Sequence, residues 1–83
     1  VTRLNPAPIS PIEAHTVATL PDVHLGAKTV WLYLRAVADP QRRKDLADAL
    51  GLDGSTITRS LKALSDHGLV RQVHGVWLAE VAE

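Results

Sequence analysis

Apolar residues at Ala27, Val30, Trp31, Leu34, Val37 and Ala38 follow the i, i+3, i+4, i+7 spacing of one helix face, and Asp39-Pro40 ends the run. Leu46, Ala47 and Leu50 repeat that period in a shorter helix over about 43–50, with Gly51 where a left-handed C-terminal cap is needed. A third stripe, Ile57, Leu61 and Leu64, follows Asp53, whose carboxylate can cap the first amides, and Gly68 with Leu69 closes that helix. Past Gly68 the pattern changes. Val70, Val73, Val76, Trp77, Leu78 and Val81 are β-branched, aromatic or leucine, and His74-Gly75 interrupts them, which predicts two short strands and a tight turn. A loop of two or of three residues fits, and the choice decides whether Arg71 or Gln72 points outward.

Four of the five prolines lie in the first quarter, at positions 6, 8, 11 and 21, so residues 1–25 read as an N-terminal arm and 26–83 as the domain. Within the arm, Ser10-Pro11-Ile12-Glu13 has the capping-box pattern and predicts a short helix over 11–20, stopped by Pro21. The expected fold is mainly α with a small β-hairpin, in the order arm, helix, helix, helix, hairpin.

Eighty-three residues make one small domain, and 46 % hydrophobic residues with nine cations against nine carboxylates is too apolar and too balanced for a disordered chain. Cysteine is absent, which excludes disulfides, thiolate catalysis and thiolate metal sites and suits a reducing cytoplasm. The run Val30 to Leu34 ends at Arg35, far short of the roughly 18 residues a membrane span needs, so no membrane partner is expected. Pro6, Pro8 and Pro11 interrupt the stretch where a secretion signal would be apolar. The lack of any methionine suggests a processed chain or a piece of a longer one.

Leu46-Ala47-Asp48-Ala49-Leu50-Gly51-Leu52, then Ser55-Thr56-Ile57-Thr58-Arg59-Ser60-Leu61-Lys62-Ala63-Leu64, then His67-Gly68-Leu69-Val70, resembles a winged helix-turn-helix. It looks like the domains of MarR-type regulators and of bacterial or plasmid replication initiators, over about residues 27–81. The resemblance implies a three-helix core plus wing and double-stranded DNA as partner, in transcriptional regulation or replication initiation. Winged helices also serve as protein–protein interaction modules, so the exposed face has to be argued separately. In the resembling families a large basic or polar side chain often follows the helix cap, where this chain has Gly54.

With Ile57, Leu61 and Leu64 inward, helical phase puts Ser55, Arg59, Lys62 and Asp66 near the opposite side, flanked by Thr56 and Thr58. A helix entering a major groove roughly 12 Å wide needs a slim first half, short hydroxyl donors and a long cation that reaches base edges, which Ser55, Thr56, Thr58 and Arg59 supply. The competing reading makes Arg59 and Lys62 an ordinary solvated face. Arg42, Arg43 and Lys44 sit at the positive start of the preceding helix, where each cation is unfavourable by about 0.3–1 kcal/mol, so a bound phosphate would explain them. Alternatively, Asp45 and Asp48 neutralise Arg42 and Lys44 locally. Arg71 and His74 lie in the hairpin, a wing short enough to touch one phosphate at best.

Six cations against five carboxylates over 41–81 imply modest, salt-sensitive DNA affinity unless two copies act together. A homodimer through the arm and the first core helix is the expected arrangement, with Tyr33, off the core stripe, under the arm or at that contact. His15, His24, His67 and His74 have no metal-pair spacing, and no nucleophile elbow or phosphate-loop motif occurs, so no metal, cofactor or enzymatic activity is expected. The alternative to sequence-specific DNA binding is a protein–protein interaction module without intrinsic DNA affinity, favoured by zero net charge, the short wing and Gly54.

Overall fold

Six elements follow one another along residues 9–37 and 39–80, the residues that the computed structural model describes: α1 (Pro11–Ala18), α2 (Leu25–Val37), α3 (Arg43–Leu50), α4 (Gly54–Asp66), β1 (Val70–Val73) and β2 (Val76–Ala79). Pro6, Pro8, Ala38 and Val81, which entered the sequence argument, lie outside the described residues. Four helices and one antiparallel hairpin form the winged helix-turn-helix arrangement expected of a mainly α chain.

Local chemistry sets most boundaries. Gly51 takes φ 67° after α3, and its amide bonds to the Ala47 carbonyl at 2.9 Å. Asp53 caps α4 by accepting from the Thr56 amide at 2.7 Å. At the other end of α4, Gly68 adopts φ 68° and the Leu69 amide returns to the Leu64 carbonyl at 2.9 Å, which turns Leu69 into the core.

The apolar stripes meet in one core of Val17, Val23, Ala27, Val30, Trp31, Leu34, Leu46, Ile57, Leu61, Leu64, Leu69 and Val70. Trp31 is wholly buried and its indole N–H donates to the Glu80 carbonyl at 3.2 Å, which fastens the end of the hairpin to α2. Tyr33 does not leave this core: it is half-buried and packs against the cluster.

The short helix is two residues shorter than the 11–20 expected. Pro21 disfavours helical backbone at Leu20, and Thr19 already leaves the helix at φ −100°, ψ 6°. Only half of the expected capping box forms: Ser10 Oγ accepts from the Glu13 amide at 3.0 Å. The Glu13 carboxylate turns inward, away from the Ser10 amide, and accepts from Arg35 Nε and Nη2 at 2.8 and 2.9 Å in a buried, two-pronged pair. Together with buried Val17 and a hydrogen bond from Lys28 Nζ to the Ala18 carbonyl, this pair seats α1 on α2.

The hairpin closes with a two-residue turn. His74 and Gly75 hold φ 51° and 81°, and Val73 faces Val76 across it. In this register Arg71 faces Leu78 and pairs with Glu80 at 2.9 Å, while Gln72 faces Trp77. Gln41, just ahead of α3, bridges to Trp77 through two backbone hydrogen bonds of 3.0 and 2.7 Å. The start of α3 is thereby tied to the wing, a contact between residues too far apart in the chain to show in a local pattern.

Candidate nucleic-acid interface

α3 and α4 pack against each other, with Leu46, Ile57 and Leu61 in the shared core, which leaves their other sides facing outward. Between them runs a solvent-open groove of about 690 Å³, lined by Arg43, Lys44, Ala47, Gly54, Ser55, Thr58, Arg59 and Lys62. Six of the ten residues expected at the site, Arg43, Lys44, Ser55, Thr58, Arg59 and Lys62, therefore share one surface. No carboxylate lines it.

A second hollow of about 480 Å³ continues from it along α4 to the wing, and Arg43, Thr58 and Lys62 line both. Gln72 and Trp77 contribute from the hairpin. These two escaped the sequence reading, and only the length of the turn, which fixes the face Gln72 occupies, could have brought them in.

The cations differ in what already holds them. Arg42 sits 3.5 Å from Asp45, Lys62 3.7 Å from Asp66 and Arg71 2.9 Å from Glu80. Among the described residues Arg43, Lys44 and Arg59 form no ion pair, and all three line the groove. The Asp45 half of the local-neutralisation reading is present, and its carboxyl is held below the ordinary value by the hydrogen bond from the Arg42 amide, then by the charges of Arg42 and Lys44. The Lys44–Asp48 half is absent among the described residues.

Hydroxyl groups are set differently again. Ser55 Oγ donates to Asp53 Oδ1 at 3.0 Å, so this hydroxyl faces the groove mainly as an acceptor. Asp53 is lowered in pKa, first by hydrogen bonding from Thr56, then by Ser55 and the Arg59 charge. Thr58 Oγ1 accepts from Arg43 Nη1 at 2.9 Å, which leaves its own hydrogen free to donate outward. Thr56 is half-buried and stands outside the groove lining, as do Arg42, Arg71 and His74, the last at the tip of the wing. At Gly54 a Cβ would meet nothing within 4 Å, so the groove has an unfilled place at the first residue of α4.

A family model described as the IclR helix-turn-helix domain matches residues 33–74, just over half of the chain and the span that carries α3, α4 and every residue lining the groove. The chain belongs to this family. Membership in the IclR helix-turn-helix family indicates DNA binding in transcription regulation, a role that is typically non-enzymatic. The match supports the winged helix-turn-helix expected from the sequence and does not reach the finer MarR-type or replication-initiator resemblance. Comparisons with curated proteins and with solved structures find no match. Among the described residues no helix is long and apolar enough to cross a membrane.

Proposed function

We propose that this IclR-type domain binds double-stranded DNA sequence-specifically, with α4 in the major groove and the start of α3 against the backbone, in the control of transcription. The groove between α3 and α4 carries the proposal: four cations and two hydroxyl side chains line it without a carboxylate, and three of those cations form no ion pair among the described residues. A chain with no net charge gains little from diffuse attraction to phosphate, so its cations act by being gathered on one face. In this reading Arg59 and Lys62 face the bases from α4, Ser55 and Thr58 lie along the groove with Thr56 beside it, Arg42 and Lys44 meet phosphates, and Arg43 brings its charge from the start of α3 to the DNA. Arg71 and His74 would touch the backbone from the wing, and residues 1–25 act as an arm to the binding domain over 26–83.

Ile12, Leu25 and Leu32 are exposed on α1 and α2, do not line the groove, and support a homodimer that leaves two copies of α4 free. Mobility shifts on random duplex at low salt, followed by selection of bound sequences from a random pool, test the reading. Salt-sensitive binding with an enriched sequence is expected. Absence of both would favour a protein-interaction module.

A further inference from the structure

Arg43 and Thr58 are fifteen residues apart, on different helices, and are joined by a 2.9 Å hydrogen bond at the surface. Arg43 is the first residue of α3, yet its guanidinium reaches the first half of α4 at Thr58 and lines both hollows that flank that helix. Its neighbours behave otherwise. Arg42 folds back on Asp45, and Lys44 has no side-chain partner across the groove among the described residues.

We infer that Arg43 reads a base edge, as a specificity-determining residue that Thr58 holds in position, and is not a sequence-blind phosphate contact. This rests on the reading that α4 enters the major groove. A phosphate contact needs only a nearby positive charge, which a mobile side chain supplies as well as a fixed one. Reading a base needs the flat fork of the guanidinium presented at a fixed angle, and a tether to α4 provides that angle. Of the five guanidinium N–H groups one is given to Thr58, so the edge formed by Nε and Nη2 remains free for two adjacent acceptors such as guanine O6 and N7.

Selection of bound sequences from a random duplex pool, paired with salt titrations, tests this with the full chain and the variants Arg43→Lys, Thr58→Val and Thr58→Ser. Arg43→Lys keeps the charge and loses the fork, so it should leave the dependence of log affinity on log salt unchanged. It should also reduce preference at one base pair by about tenfold. Thr58→Val should weaken preference at that same base pair, and Thr58→Ser, which keeps the hydroxyl, should restore it. Melting curves that overlay the parent establish that the variants are folded, as expected at an exposed pair. Unchanged base preference in Arg43→Lys overturns the inference while leaving the DNA-binding reading intact, and so does an effect of Thr58→Val at a different base pair. A parent chain that enriches no sequence overturns both.

Discussion

On the α1–α2 side Arg35 is 4 % exposed and gives two hydrogen bonds to a Glu13 that is 1 % exposed; on the α3–α4 side Arg43 and Arg59 are exposed and meet no carboxylate in ion-pair distance among the described residues. The same side chain does two different jobs. A buried guanidinium is tolerable only when its charge and N–H groups are matched, so Arg35 is committed to holding α1. Arg43 stands at the positive end of α3, where folding alone disfavours it, and Arg59 adds nothing to the apolar packing of α4. Charge that the fold does not use, gathered in one groove, is charge available to a partner.

The largest expected effect breaks the committed side. Glu13→Ala leaves Arg35 buried without its carboxylate and should cost about 3–5 kcal/mol in denaturant unfolding. Replacing both partners, with Glu13→Leu and Arg35→Met, should come out near neutral or more stable. A loss below about 1 kcal/mol for Glu13→Ala would mean that α1 lifts and lets Arg35 reach water, and the contrast between the two sides would fail.

Within α4 the comparison can be sharpened on a single helix. Leu61 is 1 % exposed in the core and lies next in sequence to Lys62 at the groove, so Leu61→Ala should destabilise by about 2–5 kcal/mol and impair DNA binding only through unfolding. Arg59→Ala should do the opposite: specific affinity falls by about 1–3 kcal/mol with preference relaxed at one base pair, while thermal stability stays within about 0.5 kcal/mol. Equal effects of the two variants on melting would show that the outward face of α4 is part of what holds the fold.

What the sequence revealed and concealed follows the same division. The ends of α3 and α4 were legible because Gly51, Asp53 and Gly68 act on backbone a few residues away. The stripe Ile57, Leu61, Leu64 was legible because helical period alone sorts inward from outward, and the outward residues Ser55, Thr58, Arg59 and Lys62 then make up half of the groove lining. Glu13 was misjudged for an instructive reason. Its local pattern fits a capping box, but a partner 22 residues away on α2 offers two charged hydrogen bonds in place of one to the Ser10 amide. Arg43 with Thr58 and Gln41 with Trp77 were invisible for the same reason, since each depends on how two elements are brought together. The turn length was open because His74 at φ 51° is uncommon for a residue with a Cβ, and the pairing of Val73 with Val76 decides it.

The smallest effect concerns pH, and it separates the caps from the groove. Asp53 and Asp45 sit at the first turns of α4 and α3, and both carboxyls are held below their ordinary value, Asp53 chiefly by hydrogen bonding from Thr56 and Asp45 chiefly by the Arg42 amide. A group whose folded value lies below its unfolded value, about 3.9 for Asp, binds its proton more readily in the unfolded chain. Its contribution to stability is therefore complete above pH 4 to 5 and is lost as pH falls through the folded value. Unfolding midpoints followed from about pH 6 to pH 2.5 should be flat at first and then decline. In Asp53→Asn the amide oxygen can still accept from Thr56, so the cap remains but cannot titrate, and the decline should be shallower while the plateau stays close to the parent. Arg43→Lys, at the groove, should leave the decline unaltered. An Asp53→Asn curve parallel to the parent would show that this carboxyl is not titrating as a cap.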